Sequence, residues 1–140
     1  MTIDYEDSYP LTLLALVIWR EAQGENYATK LGVACSIRNR VQNPRWWGHD
    51  WIGVILMPWQ YSSFNHGDPN SAKFPLLTDP VWSDCMDIAQ KVYLGGIGDT
   101  TQDATSYFDN SLDYNPPKWA TDGSQVHTLD IGALHFYKLA

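Results

Sequence analysis

Hydrophobic residues recur at helical spacing through most of this chain, and the helical period is lost beyond Asp99. Past that point, the segments around residues 105–108 and 134–137 are predicted to be extended, with Asn, Pro and Gly between them. Helices followed by strands are typical of an α+β arrangement. The sequence therefore predicts an α+β, mainly helical fold with a small antiparallel sheet of two strands.

Two helices are predicted in the first third of the chain. Ser8 is a candidate N-cap for the first helix, Pro10 lies in its first turn, where a missing N–H is tolerated, and Gly24 ends it. Asn26 is the candidate N-cap of the second helix, which the Asn-Pro pair at 43–44 ends. Together they are expected to form a helical hairpin.

Two further helices are predicted downstream. A short one follows Asp50 and ends at Pro58, and residues 62–74, rich in Gly, Pro, Asn and Ser, are predicted to be loop. The clearest helix starts with the Asp-Pro pair at 79–80 and stops at the Gly pair at 95–96.

Composition limits the class of protein. A chain of 140 residues, 44% of them hydrophobic, fits one domain over residues 1–140. The formal charge of −7 disfavours nucleic acid and anionic membranes as partners. The longest apolar stretch, 13–19, is far below the roughly 20 residues that cross a bilayer, and the acidic residues before it argue against a signal peptide. Cys35 and Cys85 lie in apolar helical patterns and are predicted to be buried free thiols.

Glu21 is a carboxylate in an apolar stripe. It follows Leu14 by seven residues, Val17 by four and Ile18 by three, so a helix turns it toward the core with them. Burial disfavours the charged form of a carboxyl group and keeps it protonated as a general acid. The competing interpretation is that Glu21 forms an ion pair, with Arg20, Arg38 and Arg40 as the candidate partners.

Other titratable residues give weaker signals. Glu25 is interpreted as a cap or ion-pair residue rather than a second catalytic carboxylate, which favours a mechanism with one carboxylate. The four histidines, His49, His66, His127 and His135, show no metal-ligand spacing, so neither a metal nor another cofactor is predicted. The segment 66–68 is interpreted as a turn.

Seven short motifs in order resemble those of one known family. They are WREAQGE at 19–25, VACSIRNRV at 33–41, PWQYS at 58–62, residues 79–89 with Asp79, Trp82, Cys85 and Ile88-Ala89, ATSYF at 104–108, PKWA at 117–120, and residues 131–137. Each motif is weak alone, and the ordered set is strong. The chain resembles the SleB-like cell wall hydrolases, which include spore cortex-lytic enzymes and many phage-encoded relatives.

The resemblance implies a lysozyme-like fold related to lytic transglycosylases, with Glu21 at the position of the family's catalytic glutamate. It also implies that Gln60, Ser62 and Tyr107 bind substrate, and His135 is kept as a further candidate. Trp119 and Tyr137 are candidates for stacking on sugar rings, with core packing as the alternative. Two positions depart from the family pattern: Ser106 stands where His is usual, and Leu134 takes the usual His position with His135 next to it. Adjacent strand residues point to opposite faces, which puts the role of His135 in question.

The resemblance implies cleavage of the peptidoglycan glycan strand between MurNAc and GlcNAc, with transglycosylation favoured by the single suitable carboxylate. Three alternatives stay open at this point: a hydrolytic muramidase, a zinc amidase or endopeptidase acting on peptide stems, and a non-catalytic peptidoglycan-binding module. The expected setting is a monomeric phage endolysin, held in the host cytoplasm until a holin-type partner releases it, or alternatively a component of the phage virion.

Overall fold

The computed structural model describes residues 3–58 and 60–140, with Ser62 described by its backbone alone. Four α-helices come first, α1 (Tyr5–Ala22), α2 (Tyr27–Gln42), α3 (Trp51–Leu56) and α4 (Pro80–Tyr93). Three strands follow, β1 (Ser106–Asp109), β2 (Gln125–Ile131) and β3 (Leu134–Leu139). They form an antiparallel sheet in the order β1-β3-β2. The predicted mainly helical α+β fold is confirmed.

Helix α1 is the centre of the core. Nearly every residue from Leu11 to Trp19 is buried, and α2, α3 and α4 pack against the helix. A helix that is apolar around most of its circumference is typical of such a central position. No helix in the described part of the chain is both long and apolar enough to traverse a bilayer.

The start of α1 corrects the sequence prediction. The helix begins at Tyr5, with Asp4 as its N-cap: Asp4 accepts from the backbone N–H of Glu6, and Asp7 accepts from the backbone N–H of Asp4. Ser8, the predicted cap, instead donates to the carbonyl of Tyr5 and lies inside the helix. The predicted N-caps of the other three helices, Asn26, Asp50 and Asp79, are confirmed.

Two further details differ from the prediction. Residues 62–74 contain two short 3₁₀ helices, Ser62–Phe64 and Pro69–Ala72, and the predicted turn at 66–68 lies between them. The sheet of the described residues has three strands, whereas the sequence predicts two, and β2 is the strand that the sequence does not predict. Its residues are mostly exposed or half-buried, and its alternation is broken by a register shift between His127 and Leu129. Both cysteines are free and buried, as predicted.

The hairpin between β2 and β3 docks on the first turns of α2. Its two-residue turn contains Gly132 at a φ of +56°, a left-handed conformation that favours glycine. A Cβ at this position would lie 2.3 Å from Oγ1 of Thr29, which is fully buried and bonded to the N-cap Asn26. The glycine therefore satisfies both a backbone and a packing requirement.

We expect Gly132→Ala to lower the free energy of unfolding by about 2–4 kcal/mol, from left-handed strain together with overpacking against Thr29. Gly123→Ala is the matched control, because Gly123 also has a positive φ, of +86°, but has no atom within 4 Å of an added Cβ. Urea unfolding followed by tryptophan fluorescence measures both. Equal losses in the two variants would contradict the packing argument.

Candidate active site

Glu21 lies in the last turn of α1, where the buried stripe of the helix reaches the surface. Its side chain is half-buried, and burial is the main cause that raises its pKa. The nearby charge of Asp68 raises this pKa further, whereas hydrogen bonds from Ser63 and the charge of Arg20 lower it. Burial outweighs the opposing contacts, so the carboxyl group releases its proton at a higher pH than an exposed glutamate does, which is the direction that the sequence predicts.

Ser63 reaches Glu21 because Arg20 holds the segment that carries it. The hydroxyl of Ser63 donates to Oε1 of Glu21 across 3.5 Å, a long contact. The guanidinium of Arg20 donates to the carbonyls of Ser63, Ser71 and Lys73 at 2.9–3.2 Å. It also lies over the rings of two phenylalanines, Phe64 and Phe74. Adjacent residues of α1 thus supply both the carboxyl group and the guanidinium that holds Ser63 next to it.

Arg40 is a buried cation without a carboxylate partner in the described part of the chain. Its guanidinium donates to the carbonyl of Thr105 at 2.5 Å, to Oε1 of Gln60 at 2.9 Å and to Oγ of Ser106 at 3.3 Å. The ring of Trp47 lies 5.0 Å from it. Arg40 therefore joins α2 to the turn at residue 60 and to the start of β1.

The ion-pair interpretation of Glu21 is not supported by these contacts. Arg38 donates to the carbonyls of Val92 and Ile97, while Arg20 and Arg40 are engaged as described. Among residues 3–58 and 60–140, no ion pair within 4.0 Å joins Glu21 to any of these arginines. Glu21 is instead a half-buried acid beside a cavity.

A cavity of about 750 Å³ opens beside Glu21. Aromatic side chains line much of it, namely Trp46, Tyr61, Tyr107, Phe108 and Trp119. Trp46 is 61% exposed and so offers a ring face to a bound molecule, whereas Tyr61 and Phe108 are buried. Aromatic faces stack on sugar rings and also keep an acid away from water.

Two tyrosines of the cavity stay protonated. Burial raises the pKa of Tyr61 and raises that of Tyr107 well above its ordinary value, and the charge of Glu21 raises both further. Arg40 opposes these shifts but does not reverse them. The two phenols therefore remain neutral hydrogen-bond donors.

Further polar groups line the cavity. The hydroxyl of Thr105 and the amide oxygen of Gln125 are buried and have no hydrogen-bond partner in the described part of the structure. Buried polar atoms are nearly always paired, so unpaired ones beside a cavity point to a polar ligand. Asp109 is a second carboxylate on the lining, and its Oδ1 accepts from the backbone N–H of Ser111.

The structure brings together four of the seven predicted site residues: Glu21, Gln60, Tyr107 and Trp119 all line the cavity. Ser62 begins a 3₁₀ helix nearby, and its side chain lies outside the described part of the structure.

The prediction that His135 and Tyr137 belong to this site is corrected, because both line a second, open cavity of about 440 Å³. On β3 the buried residues Leu134 and Phe136 face the helices, so His135 and Tyr137 point to the outer face of the sheet. Ser106, the other departure from the family pattern, accepts from Arg40.

Sequence reasoning missed several residues of the cavity. Trp46, Asp109 and Gln125 carry no local pattern that sets them apart, since only the tertiary fold brings them to Glu21. From the sequence, Arg40 is predicted only as a candidate partner of Glu21, and its contacts with residues 60, 105 and 106 come from the tertiary fold.

The spacing of the histidines predicts no metal site, yet the fold gathers His127, Asp130 and His135 on the outer face of the sheet. One potential ligand atom from each lies within 4.8 Å of the others.

Comparison with known proteins fits this geometry. A family model described as Cell Wall Hydrolase matches residues 24–137, a span that begins just after Glu21. The catalytic domain of the germination-specific lytic transglycosylase SleB from Bacillus anthracis superposes with a TM-score of 0.73 at 23% identity, covering 98% of this chain and 100% of that one. The catalytic domain of Bacillus cereus SleB gives 0.66 at 25% identity, covering 92% and 89%.

No curated protein sequence matches significantly. The structural likeness shows the predicted lysozyme-like fold, shared with the SleB catalytic domains. Because the family model matches most of this chain, the chain is an enzyme of the cell wall hydrolase family.

Proposed function

We propose that this enzyme cleaves peptidoglycan glycan strands between MurNAc and GlcNAc as a lytic transglycosylase, with Glu21 as its catalytic acid and base. The observation that carries the proposal is a half-buried carboxyl group with a raised pKa beside an aromatic-lined cavity. A general acid works best when it is protonated near the working pH. The family match begins at Gly24, so the role of Glu21 depends on this geometry and on the motif at 19–25.

The proposed reaction has two proton transfers through one residue. Glu21 donates its proton to the glycosidic oxygen, the bond from that oxygen to C1 of MurNAc breaks, and positive charge develops at C1. The 6-hydroxyl of the same MurNAc then forms a bond to C1, and its proton passes to Glu21. The products are a new GlcNAc 4-hydroxyl end and a 1,6-anhydro-MurNAc end, and Glu21 is protonated again.

The cavity has the features that a glycan requires. Its volume of about 750 Å³ lies within the range of small-molecule sites. Trp46 and Trp119 provide ring faces for sugar rings, and the unpaired polar atoms of Thr105 and Gln125 suit hydroxyl or N-acetyl groups. The solved relative from Bacillus anthracis is described as a lytic transglycosylase, which agrees with this choice of reaction.

Asp109 is the residue that a hydrolytic mechanism would need as its second carboxylate. A hydrolase needs a second carboxylate to activate water or to attack C1, and Asp109 is the second carboxylate among the described lining residues. Its oxygen already accepts from the backbone N–H of Ser111, where it caps a short 3₁₀ helix. We assign Asp109 this structural role and leave water activation outside the mechanism.

We expect Glu21→Gln to reduce release of soluble fragments from purified sacculi by a factor of about 10²–10⁴, because the amide has no proton to donate. Glu25→Gln is the matched control on the same chain segment and should retain activity. Mass analysis of the fragments should find 1,6-anhydro-MurNAc ends for the wild type.

Three results would contradict the proposal. Reducing sugar ends that disappear in Asp109→Asn would establish hydrolysis with Asp109 as the second carboxylate. Freed peptides with intact glycan would indicate an amidase or endopeptidase. Sacculus binding by wild type without any turnover would indicate a binding module.

We expect Ser63→Ala to shift the alkaline limb of the kcat/KM pH profile to higher pH. Activity requires protonated Glu21, so it falls as the pH rises through the pKa of this residue. The Ser63 hydroxyl lowers that pKa, and its removal raises it, whereas the backbone N–H of Ser63 is retained. Asp68→Asn is the matched variant with the opposite sign, because Asp68 raises the pKa. Shifts in the same direction for both variants would contradict Glu21 as the titrating acid.

The biological setting that we propose is host lysis by a bacteriophage, with a holin-type partner that releases a monomeric enzyme from the host cytoplasm. This proposal draws on the resemblance of the motifs to those of phage-encoded relatives. We expect expression in a bacterial cytoplasm to leave cells intact until a membrane-permeabilising partner is co-expressed, after which wild type but not Glu21→Gln lyses them. Turbidity measures both outcomes, and lysis without the partner would contradict the release step.

A further inference from the structure

Two imidazoles and a carboxylate meet on the outer face of the sheet. Oδ1 of Asp130 lies 2.6 Å from Nε2 of His127 and 2.7 Å from Nδ1 of His135. The three side chains border the second cavity, and none of them lines the cavity beside Glu21. The mechanism proposed for Glu21 uses none of them.

A β-bulge brings these side chains to one face. His127 and Asp130 are three residues apart, so a regular strand would point them to opposite faces. The register shift between His127 and Leu129 makes Thr128 the extra residue, and its hydroxyl donates to the carbonyl of Thr101. His127 then pairs with Tyr137 and Asp130 with His135 on the outer face. Bulges often re-aim side chains next to functional sites.

The imidazole of His135 is held from both sides. Its second nitrogen, Nε2, lies 2.7 Å from Oδ1 of Asp113, in the segment that follows β1. The ring of Phe108 packs at 5.0 Å from it. Metal-binding histidines almost always donate their other N–H to a carboxylate or carbonyl, which fixes the tautomer and the ring orientation. Asp113 stands in that relation to His135.

We propose that His127, Asp130 and His135 form a binding site for a divalent transition-metal ion, with Asp113 orienting His135. Two imidazole nitrogens and one carboxylate oxygen suit zinc, nickel or copper better than magnesium or calcium. Bonds of about 2.0–2.2 Å in a tetrahedron separate ligand atoms by about 3.3 Å, so the present 2.6–2.7 Å contacts open by less than about 1 Å. Three protein ligands leave a fourth position for water or another donor.

The ion would link two parts of the chain. Asp130 and His135 belong to the β2–β3 hairpin, whereas Asp113 belongs to the segment that carries Trp119 to the Glu21 cavity. Trp119 packs against Tyr137 of the hairpin at 5.4 Å. A metal at this site therefore stiffens the wall of the glycan cavity that Trp119 forms. Its role is structural, and proton transfer stays with Glu21.

The test is zinc binding to chelator-treated protein at alkaline pH, because imidazole binds a metal ion in its neutral form. Calorimetry should find one saturable site per chain, and zinc at about 100 times its Kd should raise Tm by about 5–10 °C. His127→Gln should weaken binding by at least about 100-fold and Asp113→Asn by about 10–100-fold. His66→Gln is the matched control, because His66 is exposed and lies in the turn at 66–68.

The same measurements can overturn the proposal. Absence of saturable zinc binding, or equal affinity of wild type and His127→Gln, would leave these residues as an ion-pair network only. A Tm that does not respond to zinc would have the same meaning. Loss of binding in His66→Gln would place the zinc elsewhere. Because both readouts are independent of turnover, their failure is distinguishable from failure of the Glu21 mechanism.

Discussion

The buried guanidinium of Arg40 is the interaction on which the rest of the cavity depends. Among the described residues no carboxylate pairs with this buried cation, and neutral acceptors satisfy it: the carbonyl of Thr105, the side chain of Gln60 and the hydroxyl of Ser106. One helix residue thus fixes the turn that enters the cavity and the edge strand that forms its far wall. Replacing one acceptor leaves a charge underpaired, which is strongly destabilising in a dry environment.

Arg20 holds the segment at 62–74 in place by hydrogen bonds to its carbonyls, as Arg40 holds the start of β1. Its three carbonyl contacts hold an irregular stretch whose backbone groups have few regular partners. Both arginines act on backbone through the planar geometry of the guanidinium, which lysine does not reproduce. The segments that surround Glu21 are therefore irregular in secondary structure but fixed by buried or half-buried charges.

Glu21 and the helix caps at Asn26, Asp50 and Asp79 were predictable from local sequence patterns. A carboxylate in an apolar stripe is unusual, and it can be recognised from the residues of one or two helix turns. Asp109 and Gln125 were not predictable, since they reach the cavity through strand pairing across many residues. Strand β2 was not predictable either, because the bulge at Thr128 breaks the alternation of inward and outward residues. The same bulge brings His127, Asp130 and His135 together, although their spacing in the sequence does not predict a cluster.

The raised pKa of Glu21 also has a consequence for folding. An acid whose pKa is higher in the folded than in the unfolded chain favours the folded state most at low pH, below its unfolded pKa, and this contribution is lost as the pH rises through the folded value. Glu21 has such a pKa because of its burial. Once it is ionised, the residue proposed as the catalytic acid therefore opposes folding, and the apolar residues of α1 around it must compensate. Chemistry and stability compete within a single helix, at Glu21 and the three turns that precede it.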